Sequence, residues 1–189
     1  MRTALHALKV IVGLEGPESQ VSDEELECLI SYAPTAKIIV EIGCFEGRTT
    51  GMLAKRCRGV VYSIDPFFRG RLGICYSELV ARTHCRRQSL RNVEFIKAFS
   101  YEVAPGFAKD IDLLFIDADH SYESVKRDWD DWFPKVRNGG VVALHDSRRA
   151  PNSPEYLGSM RFYDQYIPTV PEVTEIGVVG SLALLRINR

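Results

Sequence analysis

Five polar residues near the ends of two short apolar runs carry the strongest chemical signal. Asp117, Asp119 and His120 stand in Phe115-Ile-Asp-Ala-Asp-His-Ser-Tyr-Glu123, while His145 and Asp146 close Gly139-Gly-Val-Val-Ala-Leu-His-Asp146. Carboxylates and imidazoles gathered in one place can hold a divalent cation or move a proton. Paired carboxylates are costly to bury unless they bind a cation, share a proton or meet solvent. Two of the four histidines fall in this set, so it reads as a site. Singly, Asp119 or Asp146 could serve only as a helix or turn cap.

A second constellation lies upstream, in Val40-Glu-Ile-Gly43-Cys-Phe-Glu-Gly47-Arg-Thr49. Glycine is used where backbone must approach a ligand closely or take a positive φ. A helix opening near Thr49 would present free N–H groups and a partial positive charge to a carboxylate or phosphate. Asp65, in Ser63-Ile-Asp-Pro66, follows the next apolar run, where an acid can accept both hydroxyls of a ribose. A dinucleotide fingerprint would need GxGxxG. Here only Cys-Phe-Glu separates Gly43 from Gly47, and the middle glycine is missing.

These groups need a scaffold that brings loop ends together, and the hydropathy pattern supplies one. Ser22 and Glu25 have the spacing of a capping box, opening a helix that runs to Ala33 and stops at Pro34. The run Lys37–Ile42 suits a strand buried on both faces. Helical and strand-like stretches then alternate: a helix at Thr49–Arg56, a strand at Val60–Ile64, a helix at Ser77–Leu90 and a strand at Val93–Ile96. A short helix at Tyr101–Ala108, a strand at Ile111–Ile116, a helix carrying Tyr122, Val125, Trp129, Trp132 and Phe133 on one face, and a strand at Val141–Leu144 complete the series. Asn138-Gly139-Gly140 is expected to cap that last helix. Such alternation predicts an α/β fold with a parallel sheet between helical layers, its crossovers right-handed. After a Pro-, Arg- and Ser-rich loop (Ser147–Gly158) and a short helix (Met160–Tyr166), the runs Val173–Val179 and Leu182–Ile187 are joined only by Gly180-Ser181. So tight a connection demands an antiparallel pair.

The chain has 189 residues, with 24 Lys+Arg against 25 Asp+Glu. Surface scaling allows about 70% of the unfolded surface to be buried, enough for one core, so residues 1–189 read as a single domain. Near-zero net charge gives no general pull toward nucleic acid or anionic membrane. Arg82, Arg86, Arg87 and Arg91 stud one helical stretch, but no aromatic stacking platform accompanies them. Phe67-Phe68 reads as packing or a pocket wall, and Arg148-Arg149 opens the loop where a substrate would approach. No apolar run approaches the ~20 residues of a membrane span, and Met1–Gly13 reads as part of the fold. The five cysteines, odd in number and without CxxC spacing, suit a reducing cytoplasm.

The pattern Glu-x-Gly-x-x-x-Gly-x-Thr resembles the first motif of class I S-adenosylmethionine-dependent methyltransferases. Ile-Asp-Ala-Asp-His-Ser-Tyr-Glu with Gly-Gly-Val-Val-Ala-Leu-His-Asp resembles methyltransferase family 24, small O-methyltransferases similar to the catechol and caffeoyl-coenzyme-A types. The resemblance runs from about Glu25 to the Gly180-Ser-Leu-Ala-Leu-Leu run. It implies a Rossmann-like three-layer sandwich, a seven-stranded mostly parallel sheet with an antiparallel C-terminal strand. It implies methyl transfer from S-adenosylmethionine to a hydroxyl of a small molecule. Cofactor contacts would fall on Glu41, Gly43, Cys44, Gly47, Thr49, Asp65, Phe99, Ser100 and Asp117. In catechol-type relatives an Asp and a later Asp-Asn pair hold a divalent cation. Matched by position these become Asp117, His145 and Asp146, with His145 departing from the pattern. An imidazole there suits manganese, iron or zinc more than magnesium, or a general base. His145 or His120 would take the acceptor's proton, with Asp117 orienting the imidazole or holding the metal. The reading admits a homodimer and leaves the acceptor unnamed. A nicotinamide-dependent oxidoreductase and a non-catalytic nucleoside-binding module stand as alternatives.

Overall fold

The computed structural model describes residues 2–70, 73–149 and 156–189. Seven strands form one sheet: β1 (Ile38–Ile42), β2 (Val60–Ile64), β3 (Val93–Ile96), β4 (Ile111–Ile116), β5 (Val136–Leu144), β6 (Val173–Val179) and β7 (Leu182–Ile187). Their order is β3-β2-β1-β4-β5-β7-β6. The first five pair in parallel, whereas β7 runs antiparallel to both β5 and β6. This is the Rossmann-like arrangement expected, including the reversed last strand.

Helices cover both faces. On one side α2 (Asp23–Ile30) and α3 (Arg48–Arg56) bury Leu26, Leu29, Ile30 and Leu53 against Ile39, Val61, Leu113 and Phe115. On the other, α6 (Tyr122–Trp132) and α7 (Gly158–Tyr166) bury Trp129, Trp132 and Phe162 against Val40, Leu114 and Val142. Successive strand residues point to opposite faces, so the unbroken apolar runs of β1 and β4 feed both cores. The N-terminal α1 (Arg2–Val12) packs Ala7 and Val10 on Val80 of α4 (Tyr76–Arg87). Among the described residues no helix is long and apolar enough to cross a membrane.

The Ser22–Glu25 capping box forms, with the Ser22 amide donating to Glu25 Oε2 at 2.9 Å and the Glu25 amide to Ser22 Oγ at 3.3 Å. Two expectations are corrected. Asn138-Gly139-Gly140 lies inside β5, where the register against β4 shifts between Ile111 and Leu113. The preceding helix instead ends through a 3₁₀ turn at Phe133–Lys135, because Pro134 cannot donate within an α-helix. The stretch expected as a helix at Tyr101–Ala108 is a single turn, α5 (Ser100–Val103), followed by a 3₁₀ turn containing Pro105. Of the loop Ser147–Gly158, residues 150–155 lie outside the described residues.

Candidate active site

From β1 the chain continues to β2 and β3 on one side, while β4 and β5 add on the other. Loops diverge at such a reversal and leave a crevice at the carboxyl ends of the strands. Gly43 and Asp117 flank it, the Gly43 amide donating to Ile64 O and the Asp117 amide to Ile42 O, both at 2.9 Å. The crevice is a cleft of about 610 Å³, lined by residues that include Gly43, Cys44, Thr49, Asp65, Phe99, Ser100, Asp117 and His120. That volume falls in the range of small-ligand sites.

The glycine loop owes its sequence to its own packing. Gly43 has φ +94°, and a Cβ there would lie 1.9 Å from Asp117 O. At Gly47, φ is +75° and a Cβ would stand 2.8 Å from the Ala81 methyl carbon. Both residues thus hold the loop flat against β4 and α4, and Gly47 does not itself line the cleft. Asp65 fixes the same loop from the side. Its Oδ2 accepts from the amides of Cys44 (3.0 Å) and Phe45 (3.1 Å), and Oδ1 from that of Phe67 (2.7 Å). A carboxylate has about four acceptor positions, so capacity for a ligand hydroxyl is left. Gly47 caps α3 without a side-chain hydrogen bond, and Arg48 and Thr49 of the helix's first turn line the cleft.

The sequence cluster divides. Asp117 and His120 line the cleft; His145 is only 5% exposed and does not. The His145 Nδ1 lies 3.0 Å from Asp117 Oδ1 and 3.3 Å from Asp146 Oδ2, in ion-pair range though without hydrogen-bond geometry to either. Nε2 lies 3.4 Å from both Glu25 Oε2 and Ser181 Oγ. Burial disfavours the charged ring, but the Asp117, Asp146 and Glu25 carboxylates outweigh it and push its pKa up to about 12. Burial likewise acts to raise Glu25, but His145 and the Ser22 and Ser181 amides hold it well below the usual carboxylate range. His145 therefore lies within ion-pair range of three carboxylates and outside the cleft lining. The donor atoms that do converge, within 4.8 Å of one another, belong to Asp117, His120 and Asp146.

A family model described as a methyltransferase domain, that of methyltransferase family 24, matches residues 40–147, more than half of the chain and all the loops just described. The chain belongs to methyltransferase family 24. The chain is 30% identical over 127 residues to an uncharacterised protein of Acanthamoeba polyphaga mimivirus, a match covering 62% of the chain and 55% of that protein. The chain thus spans about half the length of this curated relative. Among solved structures it is similar to the cofactor-bound Rv0187 from MTB, with a TM-score of 0.75 and 23% identity over 100% of this chain and 91% of that one. It is also similar to the O-methyltransferase from Bacillus cereus in complex with SAH, with a TM-score of 0.69 and 22% identity over 100% and 91% of the two chains. At these identities the likeness is one of fold.

Some residues that build the cleft carried no sequence signal. Glu18, Ser19 and Gln20 reach its rim because the Glu18 amide donates to Glu46 Oε2 at 2.7 Å, an oxygen also 2.8 Å from His6 Nε2. Of the Phe67-Phe68 pair, expected as packing or a pocket wall, Phe68 lines the cleft and Phe67 is buried beside Cys44 and Ala81. Arg127 and Asp128 enter from α6.

Glu41 departs most from its expected place. It is fully buried beneath the loop and does not line the cleft. Thr50 and Ser63 hydroxyls donate to its Oε2, the latter at 2.7 Å, and Oε1 has no partner. Burial pushes its pKa up to about 8; the two hydroxyls oppose this, and the Asp117 and Asp65 charges add to the rise. The folded state then retains a proton that the unfolded chain releases above its ordinary value of 4.5. Stability must fall as pH rises from about 4.5 to about 8 and level off beyond. Glu41→Gln lacks this penalty. Its melting temperature relative to the parent is expected to climb across that window, and a difference independent of pH in calorimetric scans would refute the assignment.

Proposed function

We propose that the protein transfers a methyl group from S-adenosylmethionine to a hydroxyl of a small molecule. The observation that carries this reading is the cleft at the strand-order reversal, where the glycine loop, Asp65 and the Asp117–His120 segment converge. When bound, S-adenosylmethionine supplies an electrophilic methyl on a sulfonium centre. The free amides at the start of α3 and Thr49 suit its carboxylate. Asp65 accepts ribose hydroxyls, and the Phe99 and Tyr101 rings, stacked with centroids 5.2 Å apart, offer a flat wall for the base. The chain's work is then to align the acceptor and remove its proton. His120 takes that proton: it lines the cleft, and its Nε2 is 3.6 Å from Asp146 Oδ2, which orients the ring.

A cation-assisted version is favoured by one observation, the convergence of Asp117, His120 and Asp146. Two carboxylates and an imidazole suit manganese, iron or zinc. These three residues would hold the ion, and the ion would lower the pKa of a bound hydroxyl. Activity that is lost on dialysis against chelator and restored by Mn²⁺ would select this version; full retention would select His120 as base.

The acceptor is read as a small molecule because two of the α4 arginines, Arg82 and Arg87, are engaged within the fold. Arg82 pairs with Glu78 and covers Phe95, and Arg87 donates to the Val10 and Ile11 carbonyls. A nicotinamide dinucleotide is disfavoured because Phe45, with φ +51°, occupies the place of the middle glycine. The five free thiols accord with the cytoplasm. The test is calorimetric titration with S-adenosylhomocysteine, followed by a methyl-transfer assay over phenolic and sugar hydroxyls. Micromolar binding and turnover of a hydroxyl acceptor are expected; NADH binding in place of S-adenosylhomocysteine would overturn the proposal.

A further inference from the structure

The histidine of α1 sits where three segments meet. His6 Nδ1 lies 2.9 Å from Glu15 Oε2, and Nε2 lies 2.8 Å from Glu46 Oε2. Glu15 belongs to the strap of residues 13–22 that joins α1 to α2, whereas Glu46 stands between Gly43 and Gly47 in the glycine loop. Glu46 is buried, and the same oxygen accepts from the Glu18 amide at 2.7 Å. Glu18, Ser19 and Gln20 of the strap line the cleft together with Phe45 of the loop, while His6 itself does not.

One protonation state satisfies this geometry. An imidazolium carries two N–H donors and serves both carboxylates, whereas a neutral ring carries one. With that proton on Nδ1, the lone pair of Nε2 faces Glu46; with it on Nε2, the other lone pair faces Glu15. Either neutral form therefore loosens one of the two ties that hold the strap. The surrounding charges favour the cation. Glu15 and Glu18 of the strap and Glu46 of the loop face the ring. The nearby cations are engaged elsewhere, Lys9 of α1 on Glu15 and Arg87 of α4 on the Val10 and Ile11 carbonyls. Glu46 first and Glu15 second hold the His6 pKa above its ordinary value of 6.5, against the opposing effect of burial. Apolar support for α1 is small, Ala7 and Val10 on Val80 with Tyr76 beside them, which leaves the polar clamp to fix where the strap lies.

We propose that His6 is a positioning residue for the cofactor, tying the strap to the glycine loop as an imidazolium and so holding the rim of the cleft in place. The assignment rests on the S-adenosylmethionine reading given above. His6 acts through Glu46 and the Glu18 amide, and takes no part in the proton transfer at His120. The clamp is complete while the ring is protonated and is lost as pH rises through its raised pKa, so cofactor affinity falls with rising pH.

The experiment is calorimetric titration of wild type, His6→Ala and Glu46→Gln with S-adenosylhomocysteine at about pH 6 and about pH 9, on either side of the imidazole range. His6→Ala is expected to bind about tenfold more weakly than wild type at the lower pH, the worth of a charge-assisted hydrogen bond, and to match it at the higher. Glu46→Gln, which keeps an acceptor for the Glu18 amide but no charge, is expected to show the same convergence. Glu41 beneath the loop also titrates in this range, as does the ligand's amine, but both are common to the three proteins and cancel in the ratio. A merely structural anchor would weaken binding by one factor at both pH values, which overturns the proposal. A second measurement needs no variant to fold: by linkage, the NMR titration midpoint of the assigned His6 ring must rise when wild type is saturated with S-adenosylhomocysteine. A midpoint unmoved by the ligand overturns the assignment and leaves the cofactor reading intact. Absence of binding by folded wild type at either pH overturns the cofactor reading and this assignment with it.

Discussion

His120→Ala is expected to lower kcat by about 10²–10⁴-fold, the usual contribution of a positioned general base, while Kd for S-adenosylhomocysteine and the melting temperature stay near wild type. The imidazole is partly exposed at the cleft and lies 3.6 Å from Asp146, so its removal opens no cavity in the core. Its place is held by backbone: the His120 carbonyl accepts from the Ser159 amide at 2.9 Å, and Asp119 accepts from the Ser121 amide at 2.7 Å. Steady-state kinetics with any accepted hydroxyl compound, beside a thermal melt, reads both quantities. Turnover within threefold of wild type would remove His120 from the reaction.

The second large effect is on folding. His145→Ala is expected to cost about 3–5 kcal/mol, the penalty for removing one side of a buried ion pair. At about 2–4 °C per kcal/mol for a chain of this size, the melting temperature should drop by on the order of 10 °C. Glu25, Asp117 and Asp146 lie within ion-pair range of this one imidazole, whose raised pKa favours a charge that offsets their mutual repulsion. The two histidines, 25 residues apart in sequence, therefore divide the work. Loss of turnover in His145→Ala at an unchanged melting temperature would reverse that division.

The scaffold was legible because each element carried a local pattern. Ser22 and Glu25 announced a helix start three residues apart, and Gly180-Ser181 left no room for anything but an antiparallel turn. The strand ends were legible for the same reason, and most residues expected at the cofactor line the cleft. Which of two adjacent residues turns toward the ligand was not. After β5 the chain bends at Asp146 with φ +48°, which sends His145 inward. The partner that holds it there, Glu25, is 120 residues away, and no periodicity encodes so distant a contact. Glu41 misled for a related reason: an acid two residues before the glycine marks the loop, but strand alternation turns it beneath that loop toward Thr50 and Ser63. Asn-Gly-Gly failed because the same tripeptide serves a helix end and a strand irregularity equally well.

The reversal of β7 has a consequence for how the protein comes into being. Because β7 alone runs backward, its start lies at the same sheet edge as the ends of β1, β4 and β5, pairing Ala183 with Leu144. The turn residue Ser181 thereby donates to Glu25 through both its amide (2.6 Å) and its hydroxyl (2.9 Å), across 156 residues of chain. Contacts of such separation close late in folding. A ribosome-bound chain can build the first five strands and still lack the clasp beneath the cleft. A chain lacking β7 and its turn would carry the glycine loop without the Ser181 hydrogen bonds that hold Glu25.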